Sequence, residues 1–221
     1  MFVNPHDLLL QTEKDMNSVP AHILFNDSRH QKLLENWCAA VFGLGYNQFI
    51  KPCTIEPIES ERDSVDFRAN IDNKIYNFQI TETMKGNRTR GCEFKDAKDR
   101  PFFFRDMQPE LGNEKGYDWV FEIIKNKVKK HYPDAKNLNL LVYINFEATD
   151  LRRDMLIDKL RPFQDIFSSI WVITSYKICS IFSNSSLGDI NGWGPIKEMQ
   201  IRHIKSGASP HSDIFTRNYQ E

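Results

Sequence analysis

The stretch Ser64-Val65-Asp66-Phe67-Arg68-Ala69-Asn70-Ile71-Asp72-Asn73-Lys74-Ile75-Tyr76-Asn77-Phe78-Gln79-Ile80-Thr81 decides the fold. In its first half Val65, Phe67, Ala69 and Ile71 alternate with Ser64, Asp66, Arg68 and Asn70, the period of a half-buried strand. Asp72-Asn73 reads as a tight turn, since both residue types tolerate the left-handed backbone that a two-residue hairpin loop requires. The return run sets Tyr76, Phe78 and Ile80 against Asn77, Gln79 and Thr81. Such a turn pairs Ile71 with Lys74, Asp66 with Gln79 and Ser64 with Thr81. Directly opposed residues share a face, with Cβ atoms about 4.5–5.5 Å apart. Phe67 with Phe78, Val65 with Ile80 and Ala69 with Tyr76 then form an apolar face, and a slip of one residue would mix the two faces. The opposite face carries Asp66, Gln79 and Thr81.

Working outward, Asp27-Ser28 predicts a helix start, followed by Leu33, Leu34, Trp37, Cys38, Val41 and Phe42 at spacings of three and four. Gly43 and Gly45 predict its end. Phe49 to Ile58 is strand-like, but Pro52 and Pro57 confine it to an edge or a broken strand. Residues 84–114 lack a period, and loops of that length usually serve a function or lie outside the packed fold. Tyr117 to Lys130 reads as a helix stopped by Pro133, and Leu138 to Phe146 as a fully buried strand. A helix capped by Thr149-Asp150 runs to about Leu160 or Phe163, and strands follow at Ser169–Thr174 and Lys177–Phe182. Strands interleaved with helices predict an α/β domain with a mixed central sheet flanked by helices. The domain spans 27–183, with an N-terminal arm at 1–26 and a polar, glycine-bearing C-terminal tail at 184–221.

The 221 residues, 40% hydrophobic with 16 Phe, hold enough apolar material for one core. The net charge of −1 excludes a general polycation, so contact with nucleic acid has to come from local clusters of Lys and Arg. Cys38, Cys53, Cys92 and Cys179 form no C-x-x-C pair and read as reduced, buried thiols of a cytoplasmic protein. His30, His131 and His203 have no partners at ligand spacing, and the histidines read as surface or core residues rather than zinc ligands. The N-terminus has no signal-peptide pattern and no run approaches the ~20 apolar residues of a membrane span. Monomer and homodimer both stay open.

A carboxylate beside a side-chain amide oxygen can share a divalent cation such as Mg²⁺, which needs only one or two protein carboxylates. The ordinary alternative is an Asp and a Gln on a solvated hairpin face. A basic segment leaves from the hairpin's end: Lys85, Arg88, Arg90, Lys95, Lys98, Arg100 and Arg105 against Glu93, Asp96 and Asp99. Phe102-Phe103-Phe104 interleaves aromatics with that charge, a pattern suited to stacking on nucleic-acid bases or to local core. There is no G-x-S-x-G, Walker A or G-x-G-x-x-G, so triad hydrolase and nucleotide-loop chemistry find no support.

At these residues the chain resembles the PD-(D/E)XK nuclease superfamily, whose restriction-endonuclease-like core runs α-β-β-β-α-β. Ser64-Val65-Asp66-Phe67 stands where the superfamily's Asp-bearing motif falls, and Gln79-Ile80-Thr81 where its (D/E)-x-K tripeptide falls, Gln being a known variant of the first position. The helix at 28–42 matches the first core helix, with Glu35 as the acid it offers to the site. The likeness covers about residues 28–146. It implies Mg²⁺-dependent hydrolysis of DNA or RNA phosphodiesters, with Asp66 and Gln79 as metal ligands, the Ile80 carbonyl as a third, and Glu35 and Thr81 in the catalytic site. Val65 replaces the motif proline and Thr81 its lysine. A displaced lysine is then expected, from Lys85 or from Lys95 or Lys98. Nucleic acid would be held by Arg88, Arg90, Lys95, Lys98, Arg100 and Arg105. The alternative is a catalytically inactive member of this fold that acts as a nucleic-acid- or protein-binding regulatory module.

Overall fold

The computed structural model describes residues 1–24, 27–59, 64–86, 109–130, 132, 134–183 and 186–205. Helices α1 (Pro5–Asn17), α2 (Ala21–Leu24) and α3 (Gln31–Phe49) precede strands β1 (Thr54–Pro57), β2 (Phe67–Ile71) and β3 (Lys74–Met84). Helix α4 (Pro109–Val128), β4 (Leu138–Asn145), α5 (Arg153–Leu160), β5 (Ser169–Ile173) and β6 (Lys177–Phe182) follow. The short β7 (Gly194–Pro195) and α6 (Lys197–Lys205) come last. The strands form one seven-stranded mixed sheet in sequential order. β1, β2 and β3 are antiparallel, β3, β4 and β5 run parallel, and β5, β6 and β7 are antiparallel again. The protein is therefore α/β. Parallel neighbours need a crossover, and α4 and α5 lie in the β3–β4 and β4–β5 connections.

The hairpin forms in the expected register, with Phe67 opposite Phe78, Ala69 opposite Tyr76 and Ile71 opposite Lys74. Asp72 and Asn73 both adopt positive φ, 50° and 61°, the primed turn whose twist matches that of the flanking strands. Phe67 and Phe78 stack across the pair with ring centroids 4.6 Å apart. The ladder ends at Phe67, so the expected pairing of Ser64 with Thr81 and Val65 with Ile80 does not form. Val65 instead packs into the apolar cluster on the opposite side of the sheet from Phe67. The reason is local: Asp66 bends out of the ladder, as described below.

Alternation divides the sheet between two cores. Ile55, Phe67, Ala69, Phe78, Ile80, Leu141, Tyr143 and Trp171 join one cluster with Leu9 of α1 and Trp37, Val41 and Phe42 of α3. Leu140, Val142, Ile144, Ile170 and Val172 join the other with Val120 and Ile124 of α4 and Leu156 and Leu160 of α5. Both helix layers thus bury apolar stripes against an all-buried β4.

Several boundaries differ from those expected. Helix α3 runs through Gly43 and Gly45 to Phe49. Both glycines serve close approach, because an added Cβ would lie 2.6 Å from the Pro5 ring and 2.8 Å from Ile178. The N-terminal arm is integral: α1 packs on α3, and Val3 exchanges backbone bonds with Ile55, covering the outer side of edge strand β1. Likewise residues 186–199, within the expected C-terminal tail, pack on the domain. Leu187, Ile190, Ile196 and Met199 are buried in the first core, and Tyr46 donates to the Leu187 carbonyl at 2.7 Å. Isolated apolar residues in a polar stretch lack a period, which is why this part was not legible. Helix α4 starts at Pro109, eight residues earlier than its periodicity indicated. Its Gly112 meets the Glu147 carbonyl, where a Cβ would lie 1.6 Å away. That contact locks the helix to the end of β4. Cys38, Cys53 and Cys179 are buried, and burial pushes the Cys53 and Cys179 thiols up to about 12. No helix among the described residues is long and apolar enough to cross a membrane.

Candidate functional site

The site lies where β2 begins. From Gln79 onward β3 has β4 on one side, but β2 no longer pairs on the other. Asp66 fills the gap. Its N–H still donates to the Phe78 carbonyl at 2.8 Å, and its own carbonyl accepts from Ile58 N–H at 3.0 Å, toward β1. The Ile80 N–H is left without a strand partner, and Asp66 Oδ2 accepts it at 2.6 Å. The same oxygen accepts from Gln79 Nε2 at 2.7 Å. Asp66 and Gln79 are therefore brought together as the register predicted. That face is not the solvated hairpin surface of the ordinary alternative: Asp66, Gln79 and Thr81 are only 7%, 8% and 6% exposed. Crossover helix α4, packed on β3, covers what an isolated hairpin would leave wet.

Two oxygens in this cluster are orphaned. Gln79 Oε1 and Glu35 Oε2 are buried with no hydrogen-bond partner among the described residues. Glu35 reaches the site from α3, where its Oε1 accepts from Gln31 Nε2 at 2.8 Å. Its Oε2 lies 2.8 Å from the Lys32 ammonium, a close ion pair. The same ammonium is 4.0 Å from Asp66 Oδ1. Each acid thus divides its oxygens, one bound to protein donors and one turned toward Lys32.

The electrostatics follow from burial. Desolvation raises the Asp66 carboxyl above its ordinary value and the nearby Glu35 carboxylate adds to this, against the Ile80 and Gln79 bonds and the Lys127 charge. Burial opposes the charge on Lys32, but Glu35, Asp66 and Glu59 outweigh it and hold that ammonium above its usual range. Lys127, on α4, is shifted down by burial while Asp66 and Glu35 pull it the other way. Its ammonium lies 6.0 Å from the centre of the Tyr132 ring, and Tyr132 is itself raised by burial and by Asp66.

Of the residues expected from sequence, Glu35, Asp66 and Gln79 converge, and Thr81 lies on the same face one step further along β3. Lys85 follows the last residue of β3, and six positions at ~3.3 Å each put it on the order of 20 Å from Gln79. Arg88, Arg90, Lys95, Lys98, Arg100 and Arg105 lie outside the described residues. Sequence reasoning missed Lys32 and Lys127. The signal for Lys127 was present: it continues the buried stripe Val120, Ile124 at helical spacing, a lysine on a core-facing position. Lys32 precedes Glu35 by one helical turn, the spacing of a surface pair.

No group of three or more His, Cys, Asp or Glu side chains among the described residues is gathered as a metal site. The cluster offers two carboxylates and one amide oxygen instead. That donor set is hard and all-oxygen, and its orphaned Gln79 Oε1 fits a Mg²⁺-type ion that keeps most of its waters. No protein-family model, curated protein or solved structure matches the chain.

Proposed function

We propose that this protein is a divalent-metal-dependent nuclease of restriction-endonuclease-like fold, hydrolysing phosphodiester bonds of DNA or RNA. The observation that carries the reading is the pairing of Asp66 with Gln79 at the mouth of the β2–β3 ladder, beside a buried amide oxygen that has no partner among the described residues. Three further features support it. The order α3-β1-β2-β3-α4-β4, with an antiparallel β1–β2–β3 meander and β4 parallel to β3, is the α-β-β-β-α-β succession of that fold. Glu35 comes to the site from the first helix of that succession. Lys127 brings a cation to the face on which the motif lysine is replaced by Thr81.

In this reading Asp66 Oδ1, Gln79 Oε1 and Glu35 Oε2 hold the ion. The Ile80 N–H and Gln79 Nε2 fix the Asp66 carboxylate so that only one of its oxygens is offered. A bound divalent ion lowers the pKa of nearby water and neutralises charge developing on phosphate. Lys127, buried and within electrostatic reach of Asp66 and Glu35, would stabilise the phosphoryl oxygens, the part a strand lysine would play. Thr81 contributes a hydroxyl and no charge.

The test is cleavage of single- and double-stranded DNA and RNA with Mg²⁺ or Mn²⁺, run beside Asp66→Ala. Cleavage that depends on metal and vanishes in the variant is expected; cleavage that survives it sinks the reading. A second reading is favoured by the uncharged Thr81 and by Lys32 lying against Glu35: a catalytically inactive module that binds nucleic acid. It predicts retention of labelled nucleic acid without turnover under any metal.

A further inference from the structure

Lys32 bears on how the site takes up a cation. Its ammonium lies 2.8 Å from Glu35 Oε2 and 4.0 Å from Asp66 Oδ1. These are the carboxylate oxygens left over once protein donors have claimed the others: Asp66 Oδ2 by Ile80 and Gln79, Glu35 Oε1 by Gln31. We infer that Lys32 is the resident occupant of the cation position, and that a divalent ion enters by displacing its ammonium toward solvent. This rests on the metal-site reading above and adds to it a gate built from the chain's own side chain.

Three observations carry the inference. First, the occupancy is one-sided. The ammonium lies 2.8 Å from Glu35 but only at the limit of an ion pair from Asp66, and Gln79 Oε1 has no partner among the described residues. An ammonium offers three donors to its partners, whereas a divalent ion gathers several oxygen ligands at once at about 2.0–2.6 Å. Second, the occupant can leave. Lys32 sits in the first turn of α3 with its side chain 20% exposed, so rotation about its stem carries the ammonium to water without moving the helix. Third, the charges favour it. Lys32 and Lys127 stand against Glu35, Asp66 and Glu59, so a divalent ion added beside both lysines takes the cluster from −1 to +1, and withdrawal of Lys32 brings it to zero. A like charge some 4 Å from an ion is opposed by several kcal/mol at the effective dielectric of a partly buried site.

The experiment is a Mn²⁺ titration of the full chain at neutral pH, read by calorimetry and by electron paramagnetic resonance of free Mn²⁺. Wild type is compared with Lys32→Met, which keeps the apolar stem, and Lys32→Arg, which keeps the charge. Lys32→Met is expected to bind at least about tenfold more tightly, with Lys32→Arg within about threefold of wild type. A second readout follows the lysine itself. Labelling by an amine-reactive acetylating reagent, quantified by mass spectrometry, is expected to rise at Lys32 when Mn²⁺ is added and to stay unchanged at Lys14. Unchanged or weaker binding by Lys32→Met, with circular dichroism like wild type, overturns the inference while leaving the metal reading intact. Absence of Mn²⁺ binding in wild type and both variants overturns both.

Discussion

The Asp66 carboxylate replaces a main-chain carbonyl for Ile80. Where β2 bends away, the Ile80 N–H on β3 would be buried without an acceptor, and Asp66 Oδ2 supplies one at 2.6 Å. One side chain therefore both ends a strand ladder and presents its second oxygen to the site. Structure and proposed chemistry rest on the same residue, and substitutions can separate them.

Asp66→Ala removes the acceptor and leaves a buried N–H unpaired, which costs about 1–3 kcal/mol. Asp66→Asn keeps an oxygen for Ile80 and should stay within about 1 kcal/mol of wild type at neutral pH. Both should abolish cleavage. Urea unfolding at fixed pH distinguishes them, and equal destabilisation by the two would refute the carbonyl-substitute role.

The pH dependence has a definite sign. Burial, with Glu35 beside it, raises the Asp66 carboxyl above its unfolded value of 3.8. The folded state then holds the proton more tightly than the unfolded state does. Asp66 contributes most favourably below that value, and its contribution is lost as pH rises through the folded pKa. Wild type should therefore lose stability relative to Asp66→Asn as pH climbs from about 4, with the gap levelling once Asp66 is ionised. A gap that closes with rising pH would show that Lys32 and Lys127 dominate the carboxylate's energy.

Lys127 offers a test of the electrostatic role of α4. Burial disfavours its charge, so Lys127→Met should leave stability at pH 7 unchanged or slightly raised. In the nuclease reading the same change lowers the cleavage rate by about 10²-fold with little effect on KM, because the charge acts on the transition state. Undiminished kcat in Lys127→Met would remove Lys127 from the mechanism.

Gly112 joins α4 to β4 by backbone approach. Alanine is favoured over glycine inside a helix by about 1 kcal/mol. Here, however, its Cβ would stand 1.6 Å from the Glu147 carbonyl, and backbone cannot yield as a side chain can. Gly112→Ala should destabilise by about 2–3 kcal/mol in thermal unfolding. Gly116→Ala, which meets the edge of the Phe146 ring instead, should cost less because a ring can tilt. Equal effects would mean that α4 slides to relieve both.

The sequence by itself determined the hairpin, its turn and its register, because period-two alternation and Asp72-Asn73 act between neighbours a few residues apart. It also determined that Asp66 and Gln79 meet, since register is arithmetic once the turn is known. Strands β4, β5 and β6 were legible as apolar runs for the same local reason. Only the tertiary structure decided that the polar face is buried, that Val65 turns to the other core, and that Leu187, Ile190, Ile196 and Met199 join the first core. These depend on what long-range packing lays over a segment, which no local period encodes. The same holds for the two lysines. Lys32 and Lys127 come from helices on opposite faces of the sheet and meet one carboxylate where β2 gives out. Their convergence is a property of the crossover, and only the packed chain brings them together.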